Sequence, residues 1–193
     1  MLILASQSPR RSELLRSAGI AFTVRPSRAE EILAPGEPAA DYVRRLARAK
    51  ASEIRSQLAA DDRTPVLGAD TVVVCDGRVL EKPLSVADAR QMLLSLADRE
   101  HSVLTGVCLL GDNFEDVRCA ETKVRFLPIP SAEIDAYVAS GEPMDKAGAY
   151  AIQGGASRWV ESIDGCYFNV VGLPVSLVCQ MLRAHDLLPM AFV

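Results

Sequence analysis

The feature that most constrains the fold is a nearly continuous apolar run from Pro65 to Cys75. An apolar run without polar alternation is typical of a β-strand that is covered on both faces. One charged side chain, Asp70, interrupts it. An unpaired buried carboxylate is so costly that Asp70 needs a cation, a metal ion or a proton. Two interpretations stand side by side: a buried ion pair, or a metal ligand or general base at a strand end.

Strands and helices intermix along the rest of the chain, which predicts an α/β fold with a mixed twisted sheet and flanking helices. The predicted strands cover residues 2–5, 22–24, 65–75, 79–80, 101–110 and 117–127, followed by a hairpin of 158–163 with 167–171 across Asp164-Gly165. The predicted helices begin near residues 9, 39, 85, 131 and 174 and end near 19, 58, 97, 139 and 185. No linker divides the sequence, so residues 1–193 are expected to form a single domain.

The first predicted strand, Leu2 to Ala5, runs directly into a loop and helix that could bind an anion. Ser8 suits the N-cap, and Pro9 suits the first helical position because its missing N–H would be unbonded there. The helix N-terminus favours an anion, and Arg10 and Arg11 add two guanidinium groups suited to phosphate oxygens. The alternative is an ordinary capped helix with solvated arginines.

Lys50 is the second charged residue in an apolar setting. It falls within one face of the helix that begins at residue 39, a face formed by Val43, Leu46, Ala47 and Ile54. A lysine there either extends to solvent along its aliphatic stem or meets an anion. Lys50 and Asp70 could each supply the partner that the other needs.

Further polar residues cluster in the loops. Residues 27–38 form a polar loop that carries Glu30-Glu31, and Glu81-Lys82-Pro83 follows the predicted strand 79–80. Gln153 lies beside two glycines in a Gly-rich segment, and its amide offers a donor and an acceptor that could read a base edge. The alternative for each of these loops is plain solvation.

Composition excludes several classes of protein. A net charge of −4 argues against a protein that coats a nucleic-acid polymer. Five scattered cysteines without a C-x-x-C pair fit neither a disulfide framework nor a zinc site, and most are expected to be core residues. The two histidines, His101 and His185, are expected to be structural. Without an apparent secretory signal or membrane span, a cytoplasmic location is expected.

Six segments together resemble the Maf family of nucleotide pyrophosphatases. They occur in family order over essentially the whole chain and span residues 5–11, 45–51, 68–71, 81–83, 145–154 and 170–174, with sequences ASQSPRR, RLARAKA, GADT, EKP, DKAGAYAIQG and VVGLP. The resemblance implies a metal-dependent enzyme that cleaves a nucleoside triphosphate to the monophosphate and pyrophosphate. It also implies a Maf/ITPase-like α/β fold with two lobes around a central cleft, often as a homodimer.

The same resemblance implies roles for individual residues. For catalysis it implies Asp70 as proton acceptor, together with Lys50 and Lys82. For substrate binding it implies Ser6, Ser8, Arg10, Arg11, Glu31, Thr71 and Gln153. Glu31 and Asp70 are implied as ligands of a divalent cation, Mg²⁺ or Mn²⁺, which prefers oxygen donors. Arg11 is expected to serve phosphate.

Three positions, Arg10, Thr71 and Gln153, match the subgroup that acts on dTTP and UTP, and they are expected to determine specificity. The 7-methyl-GTP subgroup tends to carry an aromatic residue, a glutamine and a glutamate there. This chain departs from the pattern at Gly154-Gly155, because the subgroup more often has its second glycine one residue later. Two alternatives stay open: the same chemistry on another base, including modified pyrimidines, and a non-catalytic nucleotide-binding regulator of cell division.

Overall fold

The apolar run forms a ten-residue strand, Val66–Cys75, in the computed structural model, which describes residues 1–188. Eight of its ten residues are buried, and Thr71 and Val74 are half-buried. This burial confirms a strand that is covered on both faces.

Residues 1–188 contain seven strands in one sheet. In chain order they are β1 (Leu2–Leu4), β2 (Phe22–Val24), β3 (Val66–Cys75), β4 (Arg78–Leu80), β5 (Glu100–Leu110), β6 (Glu115–Phe126) and β7 (Val160–Asp164). The order across the sheet is β2-β1-β3-β5-β6-β7, with β4 paired to β3 off this path. β1 pairs in parallel with β2 and β3, whereas the β3–β4 and β6–β7 pairs are antiparallel. The predicted mixed sheet is confirmed.

The helices of the described residues are α1 (Pro9–Ser17), α2 (Ala39–Ser56), α3 (Val86–Leu96), α4 (Ser131–Ala139), α5 (Tyr167–Val171) and α6 (Val175–Ala184). Five of them match the predicted helices to within two residues at each end. Ser85 caps α3 as its side-chain oxygen accepts a hydrogen bond from the Asp88 N–H at 3.1 Å. No helix in this part of the chain is both long and apolar enough to cross a membrane.

The sequence prediction was wrong for α5, which was expected to be the second strand of a hairpin. Its residues Tyr167–Val171 form a short helix because Asn169 is fully buried and bonds to two neighbouring strands. The Asn169 side-chain nitrogen donates to the Val103 carbonyl oxygen at 2.9 Å and lies 3.0 Å from Thr122 Oγ1. These tertiary bonds override the strand propensity of an aromatic and valine-rich segment.

The strand that precedes α5 also begins later than expected. Residues Gly155–Trp159 form a 3₁₀ turn, so β7 starts at Val160 and not at Arg158. The Gly-rich segment before it contains two more 3₁₀ turns, at Glu142–Asp145 and Ala147–Ala149.

The described chain divides into two compact units. Unit 1 comprises residues 1–70, 105–120 and 172–188, and unit 2 comprises Thr71–Leu104 and Glu121–Val171. Each has its own apolar core. The cores of unit 1 surround β1 and α6 and the face of α2, whereas the core of unit 2 gathers residues from α3, α4 and β6. The predicted single domain stays a prediction, and its residues 189–193 lie outside the described ones.

The five cysteines, all within residues 1–188, are free thiols. Cys75 and Cys108 are buried, as expected of core residues, and burial raises the pKa of both. Cys119, Cys166 and Cys179 are only half-buried. Cys179 nevertheless packs against the core around β1 and α6, so three of the five cysteines lie in or against an apolar core, as expected for most of them.

Both histidines have partners that the sequence did not reveal. His101 is buried in unit 2, where its Nε2 lies 2.8 Å from the Tyr150 hydroxyl oxygen. This burial lowers the pKa of His101 to about 4. In unit 1, His185 stacks on Phe114 with ring centroids 3.8 Å apart and lies 3.4 Å from a carboxylate oxygen of Asp116.

Candidate active site

Three charged side chains of unit 1 meet at one ammonium group. Lys50 Nζ donates to Asp70 Oδ1 at 2.6 Å and to Glu31 Oε1 at 2.5 Å. The three residues come from α2, β3 and the polar loop between β2 and α2. The structure therefore brings together three residues that the sequence places far apart.

Burial differs among these three groups. The side chains of Lys50 and Asp70 are each 10% exposed, whereas that of Glu31 is 40% exposed. Lys50 thus stays inside and meets carboxylates, and the alternative in which it extends to solvent was wrong. The ammonium compensates the charge of the buried Asp70 carboxylate and is thus the cation that a buried Asp70 was predicted to need.

Two glycines in neighbouring strands let α2 approach the sheet closely enough for this contact. A Cβ atom on Gly68 would lie 2.1 Å from the Ala47 carbonyl oxygen and 2.9 Å from the Ala51 nitrogen. A Cβ atom on Gly106 would lie 2.1 Å from the Val43 carbonyl oxygen. Ala47 and Ala51 flank Lys50 on α2, and Gly68 is two residues before Asp70 on the same face of β3. The absence of a side chain at Gly68 therefore sets how close Lys50 comes to Asp70.

The loop between β1 and α1 is held from inside by Arg11. Its Nε donates to the Gly172 carbonyl oxygen at 2.8 Å, and its Nη1 donates to Ser6 Oγ at 3.0 Å. Ser6 Oγ also accepts from the Ser8 N–H at 3.2 Å. These guanidinium donors bond to protein groups and fix the course of the loop, a role beyond the phosphate binding predicted for Arg11.

Ser8 occupies the N-cap of α1 and Pro9 its first position, as predicted. Within residues 1–188 the Ser8 hydroxyl, however, accepts no N–H of the first turn. Instead, the Ser8 N–H donates to the Ser6 hydroxyl. The backbone N–H groups in the first turn of α1 are therefore not used by a side-chain cap.

The charges around Arg11 oppose one another. Burial lowers the pKa of Arg11, the negative charges of Asp70 and Glu31 raise it, and the neighbouring Arg10 lowers it. Arg10 itself is half-buried. The buried guanidinium of Arg11 therefore lies in the electrostatic field of the two carboxylates that also bind Lys50.

The other predicted site residues lie in unit 2. Thr71 follows Asp70 in β3 and is half-buried, Lys82 is exposed just after β4, and Gln153 is exposed in a turn. The Gly148 N–H donates to the Glu81 carbonyl oxygen at 3.1 Å. Unit 2 therefore joins two of the predicted segments, the one that contains Lys82 and the one that leads to Gln153.

Sequence reasoning missed two residues beside Gln153. Glu142 Oε1 accepts a hydrogen bond from the Tyr137 hydroxyl at 2.8 Å and another from the Gly155 N–H at 3.1 Å. The Tyr137 oxygen in turn accepts the Ala151 N–H at 3.1 Å. The adjacent glycines were the available signal, since paired glycines commonly mark a close approach of another group.

The donor set fits a divalent cation of the hard, oxygen-binding kind. Glu31 and Asp70 each place a carboxylate oxygen within hydrogen-bond distance of the same nitrogen, so both reach one small region. Among the described residues, no group of three or more histidine, cysteine or acidic side chains could hold a metal ion. A cation bound there would therefore need further oxygen ligands from substrate or water, as Mg²⁺ commonly does.

Comparison with known proteins agrees with these motifs. The model of a family described as Maf-like protein matches residues 1–185. A protein of Koribacter versatilis named dTTP/UTP pyrophosphatase is 51% identical over 187 residues, which cover 97% of this chain and 95% of the relative. Proteins with the same name from Anaeromyxobacter sp. and Geobacter sulfurreducens are 49% and 50% identical over 94% of this chain, and the matches cover 88% and 95% of their lengths.

Proposed function

The chain belongs to the Maf family, and on that premise we propose that it is a pyrophosphatase that hydrolyses dTTP and UTP to the monophosphate and pyrophosphate. The observation that carries the proposal is the buried Lys50–Asp70 pair beside Glu31. Relatives about half identical over nearly the whole chain bear the name dTTP/UTP pyrophosphatase. The reaction makes the protein a hydrolase of nucleotide anhydride bonds, with a role in clearing nucleotides from the pool.

The chemical step assigned to Asp70 is proton acceptance. Asp70 removes a proton from a water molecule as the water oxygen forms a bond to the α-phosphorus. The bond from that phosphorus to the bridging oxygen breaks, and pyrophosphate leaves with the electron pair. Lys50 keeps the carboxylate in place and supplies positive charge beside the reacting group.

The triphosphate carries several negative charges that need compensation. Ser6, Ser8, Arg10 and Arg11 belong to the β1–α1 loop and helix start, where backbone donors and guanidinium groups suit phosphate oxygens. Arg11 contributes by holding this loop through Ser6 and Gly172 as well as by its charge. Lys82 is assigned to the leaving pyrophosphate.

Glu31 and Asp70 are the residues proposed to hold a divalent cation, Mg²⁺ or Mn²⁺. When bound, such an ion neutralises phosphate charge and orients the triphosphate. A cation held there would share the two carboxylates with the Lys50 ammonium, which contacts both of them. Removing the metal with EDTA is expected to abolish hydrolysis, and adding Mg²⁺ or Mn²⁺ in excess is expected to restore it.

Arg10, Thr71 and Gln153 are proposed to select the base. Thr71 is adjacent to Asp70 in the chain, and Gln153 offers both a donor and an acceptor from an exposed turn. These three residue types match the dTTP/UTP subgroup noted in the sequence.

The test is release of pyrophosphate from a panel of nucleotides with Mg²⁺ or Mn²⁺ present. The panel contains dTTP, UTP, CTP, GTP, 7-methyl-GTP and modified pyrimidine triphosphates. Preferential hydrolysis of dTTP and UTP is expected. Preference for 7-methyl-GTP would move the chain to the other subgroup, and binding without release from any nucleotide would favour a regulator of cell division.

A single domain, a cytoplasmic location and a homodimer complete the proposal. The free thiols of the five cysteines, all within residues 1–188, are consistent with a reducing compartment. Light scattering coupled to size-exclusion chromatography tests the dimer, and a single unfolding transition in urea tests the single domain.

A further inference from the structure

We propose that Tyr137 and Glu142 are positioning residues that fix the backbone of the turn from which Gln153 extends and thereby make the enzyme prefer keto pyrimidines, uracil and thymine, over the amino pyrimidine cytosine. This inference rests on the proposed function. It concerns unit 2 alone, where all three residues lie.

Gln153 lies in a tight turn that is closed by a hydrogen bond from the Gly154 N–H to the Ala151 carbonyl oxygen at 3.0 Å. Ala151 and Ile152 are buried, whereas Gln153 is exposed. The turn therefore directs one side chain outwards, and the backbone of the turn fixes the point from which its amide group extends.

The backbone amides at the start of the turn and just after it are held by one phenol–carboxylate pair. Tyr137 Oη accepts the Ala151 N–H at 3.1 Å and donates to Glu142 Oε1 at 2.8 Å. The two carboxylate oxygens of Glu142 lie 3.1 and 3.3 Å from the Gly155 nitrogen, which donates to them. The pair thus joins both ends of the segment that carries Gln153.

The pair is itself fixed. Tyr137 is 8% exposed in α4, and its ring meets that of Trp159 edge to face with centroids 5.1 Å apart. Burial and the adjacent Glu142 carboxylate raise the pKa of Tyr137, so the phenol keeps the proton that it donates. Glu142 begins a 3₁₀ turn that two residues separate from α4, and its backbone N–H donates to Ser140 Oγ at 3.2 Å.

Close packing of the pair against the turn explains the two adjacent glycines. A Cβ atom on Gly154 would lie 2.1 Å from Glu142 Oε1, and one on Gly155 would lie 3.1 Å from the Tyr137 ring. Any side chain at Gly154 would displace the carboxylate.

Orientation matters because a glutamine amide has one donor end and one acceptor end. Uracil and thymine present a carbonyl oxygen where cytosine presents an amino group. An amide that extends from a fixed backbone meets the base from one side and distinguishes these edges, whereas an amide on a mobile turn can shift and satisfy both. The pair consequently acts on base selection through Gln153 and does not touch the reacting atoms.

The test compares the kcat/KM ratio for UTP over CTP, two substrates with the same sugar and triphosphate. Tyr137→Phe removes only the hydroxyl, and the ratio is expected to fall by roughly tenfold, the scale of one hydrogen bond, with kcat for UTP retained. Glu142→Ala is expected to do the same. Glu142→Gln, whose amide oxygen still accepts hydrogen bonds, is expected to keep the wild-type ratio.

The matched control is Tyr150→Phe, which also removes one buried phenol oxygen from unit 2. That oxygen bonds to His101 and not to the Gln153 turn, so a loss of stability without a loss of selectivity is expected. A fall in the ratio for Tyr150→Phe as large as that for Tyr137→Phe would overturn the proposal.

Hydrogen exchange at the Ala151 and Gly155 amides separates this inference from the proposed function. Tyr137→Phe is expected to speed exchange of both amides in the full chain. An unchanged selectivity ratio, or unchanged exchange, overturns the role of the pair. If the wild type hydrolyses neither nucleotide, the proposed function fails, and the ratio of dissociation constants for UTP and CTP then decides the positioning role by the same comparison of variants.

Discussion

Lys50 Nζ lies 2.6 Å from Asp70 Oδ1, and both side chains are nine-tenths buried. A buried ion pair of this kind gives little net stability, because the loss of hydration of both charges offsets their attraction. The pair holds a carboxylate and an ammonium in fixed positions, and this is the place where we propose that the triphosphate binds.

Asp70→Asn is expected to lower kcat for UTP by roughly a thousandfold, since the amide cannot accept the proton of the attacking water. Pyrophosphate release measures the rate, and circular dichroism checks that the fold is retained. Asp112→Asn, which alters an acidic residue paired with Arg55 and Arg63, serves as the control and is expected to keep the wild-type rate. An unchanged rate for Asp70→Asn would remove Asp70 from the chemistry.

Lys50→Met is expected to reduce the free energy of unfolding by about 3 kcal/mol, because it leaves the buried Asp70 carboxylate without its cation. The double variant Lys50→Met/Asp70→Asn removes both charges and is expected to be more stable than Lys50→Met alone. Urea unfolding of the wild type and the three variants measures this coupling. Additive losses would mean that the two groups do not interact.

Gly68→Ala is expected to destabilise the protein by about 1–3 kcal/mol and to lower kcat, because the added methyl group pushes α2 away from β3 beside Lys50. Gly106→Ala is the matched variant. Its added methyl group would contact the same helix at Val43, about two turns from Lys50. A similar loss of stability with a smaller loss of kcat is expected. Equal losses of kcat in the two variants would argue against a specific role for Gly68.

Acid is expected to destabilise the protein through His101. Its pKa is lowered to about 4 in the folded state, so the unfolded chain binds the proton more readily between pH 6.5 and 4. The stability is therefore fully present above pH 6.5 and is lost as the pH falls, by about 3 kcal/mol at pH 4. Within residues 1–188, His101 Nδ1 has no hydrogen-bond partner, so no hydrogen bond at that atom offsets the cost of burying a protonated ring.

Urea unfolding at pH 7 and at pH 4.5 measures the contribution of His101. His101→Gln is expected to reduce the loss of stability between these two pH values. Tyr150→Phe removes the phenol partner but keeps the titrating ring, so it is expected to retain most of the acid-dependent loss. The same acid-dependent loss in His101→Gln as in the wild type would refute the assignment.

The sequence predicted most elements because their patterns are local. The uninterrupted apolar run of β3, the Ser85 cap of α3 and the Asp76-Gly77 turn each follow from a few adjacent residues, and the last shows positive φ angles of 49° and 74°. The error at Tyr167–Val171 has the opposite cause. Asn169 bonds to strands that are 66 and 47 residues away in the chain, and no local pattern encodes those partners.

The candidate site divides in the same way. By itself, the sequence identified Asp70 and Lys50 as charges in apolar surroundings, because a residue type that conflicts with its neighbours is visible in one dimension. The other site residues are predicted through the family resemblance. Only the tertiary structure decided that Lys50 points inwards to Glu31 and Asp70, that Arg11 holds the loop through Ser6 and Gly172, and that Glu142 occupies the space beside Gly154. These contacts depend on distances between segments that are remote in sequence, and such distances are set by close packing of backbone and side chains, which residue patterns do not specify.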